Sequence, residues 1–313
     1  MTLKNLFMNN KNETKKYVFL GDTNSINIEI IAKSHSYLKK KIQYLLIGNI
    51  SELENYLKKI KCTIRVNEIL DPIKFVNYNK NLINIFNVEK LHKEKYKNLL
   101  HQLTISNDLS NKTKFDLITM PIDKSIFKKN IKFIGVTEYL GTLNNCKTMM
   151  LMRGEKFSVI PLTTHINLKD VYKNINYKET KESLNRLCTL IKSKKYKLDF
   201  KVLKFLCYNP HCGENGTLGK QDKYISQILY KNFQSILGPL PADSAFKNYD
   251  KNTLFISTYH DQALIPFKIL NKKGFNLTLG LNYLRLSPAH GTALNIKYKN
   301  QSNNESYLAC MLS

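Results

Sequence analysis

Arginine is nearly missing from this chain. Only Arg65, Arg153, Arg186 and Arg285 stand among 49 basic residues, set against 24 acidic ones for a formal charge of +25. Nucleic-acid sites favour arginine for its planar, bidentate donor fork. The lysines instead spread along the whole chain among abundant Asn, Ile and Tyr. That pattern reads as solvated faces and argues against a specific nucleic-acid partner, leaving weak adhesion at low salt. No apolar run approaches the ~20 residues that cross a bilayer. The opening MTLKNLFMNNKNETKK lacks the apolar stretch and small-residue cleavage site of a secretory leader, so a cytoplasmic protein with no membrane partner is expected. The six cysteines form no CxxC pair, and Cys207 and Cys212 do not have a structural-zinc spacing. They read as reduced, mostly buried small side chains. No GxGxxG follows a strand, no GxSxG elbow occurs, and LGKQD lacks the upstream glycine and the Ser/Thr of a P-loop.

With 313 residues, 42% of them hydrophobic and 11% aromatic, the chain can build two ordinary domains around a substantial core. Apolar runs at 17–21, 42–48, 115–121, 148–154, 157–162, 202–209 and 253–258 predict strands covered on both faces. Helices are expected at 26–39, 50–60, 90–105, 179–195, 221–237 and 290–297. This alternation implies an α/β fold with largely parallel sheets. Several strands run straight into polar loops: LGDTNS, TMPIDKS, PLTTH, CYNPHCGENG and STYHDQ. Ligand sites in open α/β sheets lie beyond the carboxyl ends of strands, so the motifs are expected to converge there.

Three histidines sit in such loops: His165 in TTHINLKDV, His211 in NPHCGENG and His260 in YHDQALIPFK. Neutral imidazoles on separate elements can build an open divalent-metal site, and turn residues or carboxylates adjoin each of them. A lone histidine is more often structural than ligating. His35, His92 and His101 lie in lysine-rich helical stretches and read as solvated surface. Cys212 adjoins His211 and is the cysteine expected to line a site.

Taken together, the segments MML…TTHINLKDV, NPHCGENG, GPLPADSAF, YHDQALIPFK and GFNLTLGLNYLRLSPAHGTA resemble the 4-hydroxythreonine-4-phosphate dehydrogenases of vitamin B6 biosynthesis. The likeness runs from GDTNS at 21 to HGTALN at 290 and is densest over 147–295. It implies two α/β/α domains flanking a cleft, as in isocitrate and isopropylmalate dehydrogenases: residues 1–125 with 286–313, and 126–285. It also implies a homodimer that shares a divalent metal (zinc, cobalt or magnesium) held by His165, His211 and His260. NAD would be held by His290, Gly291, Thr292 and Ala293, and the phosphorylated substrate by Thr137, Lys268, Asn276 and Arg285. The reaction implied is oxidation of the C3 hydroxyl of 4-phosphooxy-L-threonine, then decarboxylation to 3-amino-2-oxopropyl phosphate. Asp243, Lys124 and Asp261 are the candidates for the proton-accepting base. Asp243 equally suits a helix cap.

The chain departs from the family in places. Val136 stands where the family's G-H-T-E motif has histidine. GDTNSINIE replaces a GDPxGIGPE loop, with Ser25 and Asn27 for two glycines, and Ala263 and Ala289 replace a glycine and an aspartate. Glycine serves where φ is positive or backbone meets a ligand, so a reshaped first loop is expected. The alternatives are a dehydrogenase of 4-phospho-D-erythronate or threonate, and a catalytically impaired dimeric relative.

Overall fold

The computed structural model describes residues 14–127 and 133–313; the stretch read for a leader, through residue 13, lies outside them. The first part of the chain supplies strands β1 (Lys15–Phe19), β2 (Gln43–Gly48), β3 (Val66–Glu68), β4 (Ile83–Asn87) and β5 (Asp116–Thr119). Helices α1 (Asn27–Leu38), α2 (Ile50–Lys59) and α3 (Lys95–Thr113) lie between them. After α4 (Val136–Leu143) come β6 (Met149–Arg153), β7 (Ser158–Pro161), α5 (Leu168–Asn174), α6 (Tyr177–Ile191) and β8 (Val202–Leu206). The chain continues through α7 (Gln221–Asn232), β9 (Ile236–Leu240), α8 (Ala242–Ala245), β10 (Thr253–Ser257) and α9 (His260–Leu270). It finishes with β11 (Phe275–Leu279), β12 (Arg285–Pro288) and α10 (Glu305–Leu312).

Among the described residues these strands form one mixed sheet in the order β3-β4-β2-β1-β5-β12-β11-β6-β7-β10-β8-β9. Strand β1 shows why the middle is buried on both sides. Tyr17 and Phe19 pack into one apolar layer, while Val18 and Leu20 pack into the other, the period-two pattern of a strand covered by helices on both faces. Lys16 breaks the apolar run yet is buried, paired with Asp116 at 3.0 Å, and donates to the backbone oxygens of Cys310 and Ser313. It thereby ties the last turn of α10 to the sheet, where a cation suits the helix dipole. Three helices begin on an asparagine cap: Asn49, Asn167 and Asn176 each accept a backbone N–H two or three residues on.

Strand direction matters more for the site. Strands β1 to β5 and β12 run parallel, β11 is antiparallel to β12 and to β6, and β6 is antiparallel to β7. The carboxyl ends of β1, β5 and β12 therefore emerge at one edge of the sheet. Those of β7, β10 and β8 emerge at the opposite edge. The motifs do not all gather at one edge, as strand-end reasoning alone predicts.

Three sequence expectations are corrected. The helix read at 221–237 stops at Asn232, because Ile236 and Leu237 pair with β8 and Pro239 cannot continue a helix. Residues 290–297 are not helical. They form a loop with one tight turn at Leu294–Ile296, entered through Ala293 at φ 46° and held by a bond from Ile26 N to Thr292 O. His35 is not solvated: it is buried on the inner face of α1, with Nδ1 2.6 Å from Tyr44 Oη.

Burial, aided by nearby Lys39, holds the His35 imidazole below its ordinary value. The unfolded chain takes up that proton near pH 6.5, before the native protein does. Stability is therefore complete above about pH 6.5 and is lost as pH falls below it. Denaturant midpoints measured from pH 8 down to 5 are expected to drop on the acid side, with a shallower drop in His35→Gln. Gly21, at φ +66°, is fixed more tightly: an added Cβ would lie 2.5 Å from Pro121 O and 2.6 Å from Met120 O. Gly21→Ala is expected to lose about 2–4 kcal/mol in the same unfolding measurement.

Candidate active site

The alternation FNLTL and RLSP decides what faces the central cleft. Leu277, Leu279 and Leu286 point into the apolar core. Asn276, Arg285 and Ser287 point the other way and line a cavity of about 230 Å³ above β12, β11 and β6. Loops from both sheet edges close over this floor. Pro121 and Lys124 follow β5, and His290 and Gly291 follow β12, while His165 arrives from the far edge after β7.

Arg285 is only 3% exposed. Its Nε donates to Thr119 Oγ1 at 2.9 Å, and its Nη1 to Thr137 Oγ1 at 3.1 Å and Thr278 Oγ1 at 2.9 Å; Nη2 also reaches Thr119. Burial pulls its pKa down to about 10, so it stays charged at neutral pH. Among the described residues no carboxylate is bonded to it. A buried cation held only by hydroxyls is incompletely compensated, and with Lys124 it makes one end of the cavity an anion site.

At the other end, His165 Nδ1 lies 2.9 Å from Glu138 Oε1. A carboxylate oxygen only accepts, so Nδ1 carries the proton and Nε2 keeps its lone pair. Burial raises the Glu138 carboxyl, but the hydrogen bond from His165, with its own backbone N–H and Lys124 nearby, outweighs it and sets it below the usual range. His260 repeats the arrangement, its Nδ1 2.6 Å from Asp261 Oδ1. The His165 and His260 rings are 5.7 Å apart and share a cavity of about 400 Å³. Such carboxylate-oriented imidazoles fit a divalent metal.

His211 occupies a neighbouring cavity of about 380 Å³ with Asp243, and Tyr259 lines both spaces. No group of three His, Cys, Asp or Glu side chains gathers for a metal among the described residues. His211 rides a left-handed turn in which residues 211 to 215 all have φ between 45° and 78°, a conformation costing roughly 1–2 kcal/mol per non-glycine residue. Asp222 braces it, accepting from Tyr208 N, Asn209 N and Asn209 Nδ2 at 2.6–3.0 Å. Cys212 points its thiol at Pro239 O, and burial with Cys207 alongside pushes that thiol up to about 12.

Of the residues singled out in the sequence, Lys124, Thr137, Asn276, Arg285, His290, Gly291 and His165 line one cavity. Asp243 and Asp261 lie in the other two, so the three base candidates are separated. Asp243 makes no capping bond; Pro241 holds the cap position of α8. Lys268 is exposed on the last turn of α9 and lines none of these cavities, and neither do Thr292 and Ala293. Sequence reading missed Glu138, Asp222 and Gln262, the last tying α9 to β8 through its bond to Cys207 O. The glycine-poor first loop is rebuilt with side chains. Asn27 Nδ2 donates to the oxygens of Leu20, Asp22 and Pro121, and Ser25 Oγ donates to Asp22 O.

Residues 28–312 match the family described as pyridoxal phosphate biosynthetic protein PdxA. The chain is 33% identical to the 4-hydroxythreonine-4-phosphate dehydrogenase of Sulfurihydrogenibium sp. (91% of this chain, 92% of the relative). It is 34% identical to the enzyme of that name from Aquifex aeolicus (93% and 94%). The crystal structure of the Klebsiella pneumoniae 4-hydroxythreonine-4-phosphate dehydrogenase superposes with a TM-score of 0.78 at 23% identity, over 96% of this chain and 98% of that one. The chain belongs to the PdxA family of pyridoxal phosphate biosynthetic dehydrogenases.

Proposed function

We propose that this protein is a cytoplasmic, NAD-dependent dehydrogenase that oxidises 4-phosphooxy-L-threonine at its C3 hydroxyl and works as a homodimer. The observation that carries the reading is the buried Arg285, which among the described residues has hydroxyl partners only and lines a cavity with Lys124. A phosphate supplies the missing negative charge, and the guanidinium fork suits it. Thr137 and Asn276 complete the substrate contacts, and the Asn276 Oδ1 is buried without a partner among the described residues. The loop Gly291 to Ala293, joined to the first loop through Ile26 N, is the place for the cofactor. When bound, NAD accepts the C3 hydrogen with its electron pair.

His165, His260 and His211 would hold a divalent metal that lowers the hydroxyl's pKa. Because His211 opens onto a different cavity from the first two, with Tyr259 lining both, we infer that His211 reaches the pair of the partner subunit. Exposed Leu168 and Tyr172 on α5, with Ile265 and Ile269 on α9, give an apolar face beside those histidines, and Lys268 shares the α9 face to serve the partner's cavity. Lys124, read from the sequence as a base candidate, lines the substrate cavity as a cation that serves the phosphate with Arg285. His290 is the proton acceptor inside that cavity, since Nδ1–H donates to Gly291 O and leaves Nε2 unprotonated. Loss of the C3 hydrogen yields a β-keto acid, whose decarboxylation gives the aminoketone phosphate. Residues 1–125 with 286–313, and 126–285, form the two lobes in this reading, and β12 returns beside β5 accordingly.

The test is NADH formation from 4-phosphooxy-L-threonine and NAD⁺, with zinc, cobalt or magnesium. Turnover is expected, lost on chelation and in His211→Ala. Arg285→Lys keeps the charge but not the fork and is expected to lower kcat/KM by about tenfold to a hundredfold. Val136 lines the cavity where the family carries a histidine donor, which favours a second reading, oxidation of 4-phospho-D-erythronate. Turnover of that compound alone would select it.

A further inference from the structure

A phosphorylated hydroxy amino acid and a phosphorylated dihydroxy acid present the same phosphate, the same reacting hydroxyl and the same carboxylate. They differ at C2, ammonium against hydroxyl. The central cavity is unsuited to a cation at first sight, being lined by Lys124, Arg285, His165 and His290. Glu138 is its one carboxylate among the described lining residues. Its Oε1 is committed to His165 Nδ1 at 2.9 Å, and Thr164 Oγ1 stands at 3.4 Å. Its Oε2 is buried and has no partner among the described residues. Room for that oxygen depends on Gly135, where an added Cβ would lie 2.5 Å from Oε2. One carboxylate is thus fixed through one oxygen and idle at the other.

We propose that Glu138 is a specificity-determining residue of the dehydrogenase: its unpartnered oxygen side receives the substrate's C2 ammonium group while Oε1 holds His165. An ammonium offers three donors and a full charge, both of which a carboxylate answers. A hydroxyl at C2 offers one donor and no charge. The proposal rests on the dehydrogenase reading and adds to it the choice between the amino acid and its hydroxy counterpart.

Glu138→Gln is the variant to make, because the amide oxygen can still accept from His165 Nδ1–H while an NH₂ replaces the idle oxygen. The kcat/KM for 4-phosphooxy-L-threonine is measured beside that for 4-phospho-D-erythronate, or beside its competitive inhibition constant if it is not turned over. Zinc affinity is measured by competition with a chelating dye. The aminated substrate is expected to lose tenfold to a hundredfold relative to the hydroxy compound, with zinc affinity nearly unchanged. Gly135→Ala, which displaces the same oxygen, is expected to move the ratio in the same direction. Equal losses for both compounds, or an unchanged ratio, would mean that Glu138 acts only through His165 and would overturn the proposal. A wild-type protein that already prefers the hydroxy compound would overturn both this assignment and the threonine reading. An active wild type with an unmoved ratio overturns this assignment alone.

Discussion

The central strands are organised around one charge that no carboxylate bonds among the described residues. Arg285 sits where β5, α4, β11 and β12 meet, and each of the other three elements offers it a threonine. Hydroxyls orient the guanidinium without cancelling it. An aspartate in any of those positions would have closed it into a structural ion pair, whose partners are occupied and whose desolvation is balanced internally. Three threonines leave it correctly aimed and still in need of an anion. The antiparallel insertion of β11 makes this possible by setting Thr278 directly opposite Arg285.

That insertion also decides where the chemistry sits. Because the two halves of the sheet point in opposite directions, loops following β5 and β12 cannot meet loops following β7 at a shared edge. They meet over the face of the strands between them. The site is consequently long: an anion end under the β5 loop, and a histidine end approached from the far edge. Glu138, in the first turn of α4, spans the two, since it lines the central cavity and orients a histidine that also opens onto the second one.

Much of this was legible in the residues, and the rest was hidden for identifiable reasons. Strands such as β1, β2 and β10 announce themselves because both faces are buried and a short apolar run fills most of each. Strand β3, three half-exposed residues, carries no such signal. The segments FNLTL and RLSP do carry one, a period of two, but their polar members read as motif letters rather than as a strand face. His35 was misjudged because neighbouring lysines mask the buried stripe of α1, which includes Glu29 and Ser34 as well. Seven of the residues joined in the central cavity, His165 and Arg285 among them, were nameable from the family's motifs. The separation of Asp243, Asp261 and Lys124 into three cavities was not, because spacing along a chain says nothing about which strand end faces which edge. Glu138 carries no signal of its own in the sequence: it is one acidic residue in the first turn of a helix, two positions past the altered letter Val136.

The first loop has a thermodynamic consequence of its own. Where the family's loop relies on glycine, here the buried side chain of Asn27 draws together three backbone oxygens from two strand ends, and Ser25 fastens the turn within. Gly21 is enclosed by Pro121 O, Met120 O and the Asn27 amide itself. Such a loop is already frozen when the chain folds, so a molecule arriving at this edge meets a rigid wall and has no segment to order. The conformational entropy of the loop is thereby charged to folding rather than to recognition.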